Sequence, residues 1–154
     1  MLTVMGKHIL VINGNPDPAP ERLSSAIANA YAAAAAGAGH SVARLDVGHL
    51  DFSILRSGAD FLTRPGEAAI IAARDEIRRA DPLVFIYPLW LGGTPALLKA
   101  FLEQVSRAGF ALEAGEGGFP KGRLKGKSAR IIVTMGMPAL AYRLIYRAHG
   151  VKAF

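Results

Sequence analysis

Three short, largely apolar runs rich in β-branched residues punctuate the chain, at residues 9–12, 83–87 and 129–134. Each is too short for a helix and too continuous for a strand with one wet face. They predict strands covered on both sides, and the weaker alternation at 41–46 predicts a fourth. Helical spacing fills the gaps. Over 22–37, Leu23, Ile27, Ala30, Tyr31 and Ala34 fall on one face, and Gly37 and Gly39 end the helix. Over 67–80, Ile70, Ala73 and Ile77 are expected inside and Arg74, Asp75, Arg78 and Arg79 outside. Thr94-Pro95 predicts a helix with Thr94 as its cap and a stripe of Leu98, Phe101, Leu102 and Val105. Residues 138–148 give a fourth helix, while 52–65 and the Gly-rich 109–127 are expected to be irregular. The alternation β-α-β-α-β-α-β-α predicts an α/β fold, a three-layer doubly wound parallel sheet in a single domain over 1–154.

In such sheets ligands bind beyond the carboxyl ends of the strands. Three unusual loops leave those ends. The first, Asn13-Gly-Asn-Pro-Asp-Pro-Ala-Pro-Glu-Arg-Leu-Ser-Ser25, runs into a helix N-terminus, where free amides and the dipole attract a phosphate. Arg22 can add charge there, and Ser24 and Ser25 hydroxyl donors; equally, a serine can simply cap the helix. The second, Pro88-Leu-Trp-Leu-Gly-Gly-Thr94, holds the chain's one tryptophan. It offers backbone polar groups and a flat apolar surface to a ring system, or it is a tight turn around a packed aromatic. The third, Met135-Gly-Met-Pro138, leaves amides at Gly136 that could face the same ring, or starts a helix.

Composition narrows the choices. The 154 residues include no cysteine, which excludes disulfides, thiol catalysis and Cys-ligated metals. The histidines, His8, His40, His49 and His149, show no metal-ligand spacing, so no metal is expected. His8 and His40 are expected at the end of the sheet away from the three loops. No apolar run approaches ~18 residues, so no membrane-embedded segment is expected, and a cytoplasmic address follows by default. The net charge of +6 suits an anionic small molecule. The basic residues are dispersed enough that no nucleic-acid partner is expected. Gly122-Arg-Leu-Lys-Gly-Lys-Ser128 lacks the P-loop spacing and precedes a strand instead of following one.

The second loop, continued as Pro88-Leu-Trp-Leu-Gly-Gly-Thr-Pro-Ala-Leu-Leu-Lys99, closely resembles a segment of the flavodoxin-like NAD(P)H:quinone oxidoreductase family. Gly14-Asn15-Pro16, then Arg22-Leu23-Ser24, and Thr134-Met-Gly136 resemble the family's other two flavin loops, with Asn15 where a histidine is usual. The resemblance implies a strand order of 2-1-3-4, with the usual fifth strand and last helix missing and 129–134 left as a sheet edge. It implies flavin contacts at Asn15, Arg22, Leu23, Ser24, Pro88, Leu89, Trp90, Leu91, Gly92, Thr134, Met135 and Gly136. Tyr142 and His149 sit near a Tyr/His pair of some members, with the spacing off by about one residue.

The resemblance further implies ping-pong transfer: NAD(P)H reduces the flavin, leaves, and a quinone-like acceptor takes its place, with the flavin carrying the redox chemistry. Gly136 and Tyr142 would then favour the charge that builds on the reduced ring. The cofactor is FAD or FMN, and FAD is slightly favoured because Asp17-Pro-Ala-Pro20 lengthens the first loop. A homodimer is expected, with Phe52, Phe61, Phe110 and Phe119 open to burial by a second copy or within the chain. Two alternatives keep the same loops. One is a flavin-binding ancillary subunit of a potassium-efflux system. The other is a flavodoxin-type electron carrier, which the basic charge disfavours.

Overall fold

The protein is described from a computed structural model that covers residues 6–113 and 121–153. Among the described residues six strands form: β1 (His8–Asn13), β2 (Ser41–Asp46), β3 (Pro82–Pro88), β4 (Leu112–Glu113), β5 (Lys121–Gly122) and β6 (Ser128–Thr134). Four make one parallel sheet in the order β2-β1-β3-β6, which is 2-1-3-4 when only its own strands are counted, as expected. The pair β4–β5 is a separate antiparallel ribbon. Phe119 lies outside the described residues. Among those described, β6 pairs with β3 alone and stands at the sheet edge.

The first two apolar runs, in β1 and β3, occupy the centre because they are wetted on neither face, whereas the third, expected to be covered on both sides, stands at the edge in β6 with no residue fully buried. Leu10, Ile12, Phe85 and Tyr87 point to one side, where Ile70, Ile77, Leu98, Phe101 and Val105 cover them from α3 (Ala68–Arg79) and α4 (Ala96–Ser106). Ile9, Val11, Val84 and Ile86 point to the other side, under Ala28, Ile27 and Tyr31 of α1 (Leu23–Gly37). A slip of one residue in either central strand would exchange these two sets, so the pairing of Val11 with Val84 and Ile12 with Phe85 is held by burial on both faces.

Several expectations need correction. α1 is rotated from its predicted face: Ser24, Ser25 and Ala28 are buried while Leu23, Ala30 and Ala34 are exposed. Alanine on every side leaves this helix with no decisive stripe, and the polar loop before it draws the serines inward. Pro95, not Thr94, occupies the cap position of α4. The stretch 52–65 contains α2 (Gly58–Leu62), capped reciprocally by Ser57 and Asp60, a signal present in the sequence as Ser-x-x-Asp. The fourth helix breaks into α5 (Ala139–Ile145) and α6 (His149–Lys152), because Arg147 and Ala148 adopt φ of 50° and 52°.

Arg74 does not face out. It is buried, and its Nε donates to the Val105 carbonyl at 2.9 Å and its Nη2 to the Arg107 carbonyl, both at the C-terminal end of α4. Its guanidinium lies 4.8 Å from the centroid of the Phe110 ring, itself buried. Burial, then the neighbouring guanidinium groups of Arg78, Arg107 and Arg64, lower its pKa to about 10. The side chain stays charged at neutral pH and ties α3 to helix-end carbonyls that α4 cannot satisfy itself. Phe52 likewise packs within the chain, edge-on to Phe101 with centroids 6.2 Å apart. Phe61 remains exposed. Arg74→Met should lower stability by ~3 kcal/mol, the worth of hydrogen bonds from a charged donor plus two stranded carbonyls. Urea unfolding checks this, and a loss within error of zero would contradict it.

Candidate functional site at the carboxyl edge of the sheet

The three loops do leave one edge and are bonded there. The Gly14 amide donates to the Ile86 carbonyl at 2.8 Å, which joins the first loop to the end of β3. The Leu89 amide donates to the Thr134 carbonyl at 2.8 Å, which joins the second loop to the third. A Cβ at Gly14 would come within 2.6 Å of Leu98, so the first loop also lies directly against α4.

The first loop is folded by its own side chains. Asn13, Asn15 and Asp17 each accept the amide two residues on, from Asn15, Asp17 and Ala19, at 3.3, 3.1 and 3.0 Å. Asn15 is buried and its Nδ2 donates to Ser24 Oγ at 2.9 Å. Asn13 donates to Ser25 Oγ at 3.3 Å and to Asp46 Oδ1, at the end of β2, at 2.9 Å. Ser24 and Ser25 are thereby buried at the start of α1, where no side chain caps the free amides. The Ser25 hydroxyl donates to the Ala19 carbonyl at 3.3 Å, so the donors left there for an anionic oxygen are the Ser24 hydroxyl and the first amides of α1. Arg22, the residue at the cap position, is engaged by Asp17 at 2.5 Å, and Leu23 is exposed. Asp17 is held below the usual carboxylate range by the Ala19 amide and by Arg22.

Asp46 was not singled out from the sequence, and only the pairing of β1 with β2 places it beside Asn13. Burial alone would raise its pKa, but hydrogen bonds from Arg44 and Asn13 outweigh burial and leave it lowered. Gly48, just beyond, is packed so closely that a Cβ there would meet the Pro16 carbonyl oxygen at 2.7 Å.

The second loop is a tight turn. Trp90 and Gly93 exchange two backbone hydrogen bonds, at 3.0 and 2.9 Å, around Leu91 at φ 49° and Gly92 at φ 81°. Positive φ at both central residues makes this the turn that suits glycine or asparagine; leucine pays a backbone penalty of ~1–2 kcal/mol. Leu91 gains no burial in return, since its side chain is fully exposed, and Trp90 beside it is half exposed. Pro88 and Leu89 are partly buried where β3 gives way to the turn.

The third loop begins with Thr134, opposite Pro88, and continues through half-buried Met135 and exposed Gly136. It leads into α5, which clamps the second loop from outside. Tyr142 is buried and its Oη donates to the Gly92 carbonyl at 3.3 Å. The Tyr146 ring lies 3.1 Å from where a Gly92 Cβ would stand. Tyr87 at the end of β3 was also missed in the sequence; burial first and then Tyr142 push its hydroxyl up to about 12. The structure therefore brings Tyr142 to the turn. It leaves His149 exposed at the start of α6. His8 and His40 lie at the opposite end of the sheet, bonded to Ser41 and to the Lys7 amide. A groove of about 460 Å³ lined by Phe61, Thr94, Leu102 and Gly150 lies on the α4 flank, and none of its lining comes from the first or third loop.

Two outcomes follow. Leu91→Gly should raise the melting temperature by ~2–4 °C, because it relieves left-handed strain at no cost in burial; a drop would show that Leu91 is not strained. Asp46→Asn should destabilise at pH 7, since a depressed folded pKa contributes stability above the unfolded value of ~3.9 and loses it as pH falls through the folded one. The gap between the two proteins in urea midpoint should close toward pH 3, and a gap independent of pH would contradict this.

The comparisons with known proteins agree with this geometry. A stretch of 61 residues, 40% of this chain, is 44% identical to FMN-dependent NADH:quinone oxidoreductase 1 of Jannaschia sp. and covers 31% of that protein. A stretch of 83 residues, 54% of the chain, is 40% identical to the glutathione-regulated potassium-efflux system ancillary protein KefG of Salmonella paratyphi B and covers 39% of it. The matches thus span only 31% to 39% of the length of these curated relatives. The solved structure of Smu.1420 from Streptococcus mutans superposes with a TM-score of 0.71 at 31% identity, over 87% of this chain and 71% of that one. The sequence model for the flavodoxin-like fold matches residues 7–153. The chain belongs to the flavodoxin-like fold family.

Proposed function

We propose that this chain binds FMN at the carboxyl edge of its sheet and serves as an NAD(P)H:quinone oxidoreductase. The observation that carries this reading is the junction of an uncapped helix start holding two buried serines with a strained, apolar turn, both fastened to the same sheet edge. The residues fit the group: the Ser24 hydroxyl and the first amides of α1, that of Ser25 among them, would hold the phosphate. Pro88, Leu89, Trp90, Leu91 and Gly92 would take the ring on one side, and Thr134, Met135 and Gly136 on the other. A bound flavin would supply two-electron transfer between a nicotinamide and a quinone-like acceptor, in the ping-pong order. Asn15 orients Ser24, and Arg22 holds the loop through Asp17. The Gly136 amide offers a donor to developing charge. Tyr142 is a positioning residue, because its hydroxyl is used on Gly92. His149, exposed and next to the Gly150 that packs against Gly92 and the Tyr142 hydroxyl, is the second candidate.

FMN replaces the FAD slightly favoured from the sequence. The Jannaschia relative is named FMN-dependent, and the 17–20 segment is closed on itself by Asp17, Ala19 and Arg22, with no extension for an adenylate. Exposed Ile54, Phe61 and Leu62 are the surface we assign to a second copy in a homodimer, in a cytoplasmic setting. The similarity to KefG supports a second reading, an ancillary subunit that uses the same flavin loops without turnover.

The test is reconstitution followed by assay. The apoprotein should bind FMN, and Ser24→Ala with Ser25→Ala should weaken FMN at least ten-fold while leaving riboflavin, which lacks the phosphate, within about two-fold. The loaded protein should oxidise NADH or NADPH rapidly with a benzoquinone. A yellow protein without turnover favours the ancillary reading. A protein that takes up neither FMN nor FAD overturns both.

A further inference from the structure

The chain's positive charge is unevenly placed. Residues 117–154 contain eight Lys and Arg and no Asp or Glu, whereas residues 1–116 contain ten against twelve. Three of the eight, Arg143, Arg147 and Lys152, fall in the segment of α5 and α6 and are exposed, as is His149. The same segment carries apolar side chains that the fold leaves in water. α5 is seated on the Trp90–Gly93 turn through Tyr142, only 3% accessible, and Tyr146. That seating turns Leu140, Leu144 and Ile145 away, at 67%, 70% and 74% accessible. Glu103 shares a groove with Gly150 and Ala153 but is paired with Lys99 at 2.8 Å, so it does not offset this charge.

We propose that the α5–α6 segment docks on an anionic lipid surface. Leucine, isoleucine and tyrosine interleaved with arginine and lysine, with no carboxylate, suit the boundary between acyl chains and negative headgroups. The apolar side chains enter, and the long cations remain at the phosphate level. The charge complementarity decides the occupant: an apolar protein partner would not require an acid-free rim, and a second copy of this segment would bring a second set of cations and no carboxylate to pair with the first. No helix of the described residues is long and apolar enough to cross a membrane, so the contact is peripheral. The inference is independent of the flavin reading, but it would set the Trp90–Gly93 turn at the boundary where a lipophilic acceptor dissolves.

Vesicle sedimentation and sizing test this. The protein should sediment with vesicles of about equal parts phosphatidylcholine and phosphatidylglycerol, and not with phosphatidylcholine alone. Arg143→Gln should weaken binding by roughly five-fold, and the pair Arg143→Gln and Arg147→Gln by more. Leu140→Ser with Leu144→Ser should abolish binding while leaving FMN affinity and the melting temperature unchanged. Equal binding to neutral vesicles, or none to either, overturns the proposal. So does binding that survives the leucine substitutions, which indicates a general polyanion site. So does a dimer in solution that the leucine substitutions dissolve without any vesicle binding, which assigns the face to a second copy.

Discussion

The parallel pairing of β1, β3 and β6 is the constraint on which the rest depends. Two bonds carry it past the strand ends: Gly14 to Ile86 and Leu89 to Thr134. Because these are backbone contacts at fixed register, three loops far apart in sequence are held side by side whatever their side chains are. The register is fixed by burial on both faces of the two central strands. Two packed layers thus determine where a polar edge site stands, and the hydrophobic core and the candidate site are consequences of one pairing.

Onto that frame the loops add opposite kinds of chemistry. The first is ordered by polar side chains, a run of three Asx turns that buries Asn13, Asn15, Ser24 and Ser25 around a helix start. The second is ordered by backbone strain and by a clamp from α5, and it presents Trp90 and Leu91 to solvent. Donors at one end and an apolar ledge at the other match a ligand with an anionic tail and a flat ring. Strain at Leu91 without compensating burial in the chain is the kind of outlier that points to a partner outside it.

The sheet was legible because continuous apolar runs have few other uses in a chain of this size. The same pattern named the three loops, and with the resemblance it indicated the residues in them. What the sequence hid has physical reasons. α1 is apolar on every side, so periodicity could not tell that Ser24 and Ser25 turn inward. Arg74 reads as a surface charge until the carbonyls of Val105 and Arg107 are placed above it. Asp46 acquires a role only through its neighbour across β1. The break at Arg147 and Ala148 involves two residues with no helix-breaking signature, so the turn that folds α6 back toward Tyr142 could not be read from the sequence.

The central claim is that the first and second loops serve one ligand. Trp90 is the chain's one tryptophan and stands in the second loop, away from the serines of the first. Titration of the apoprotein with FMN, followed by tryptophan emission, therefore reports the second loop alone. The account predicts saturable quenching that ends at one equivalent, with Ser24→Ala shifting the curve although that residue lies in the other loop. FMN bound with Trp90 emission unchanged would contradict it.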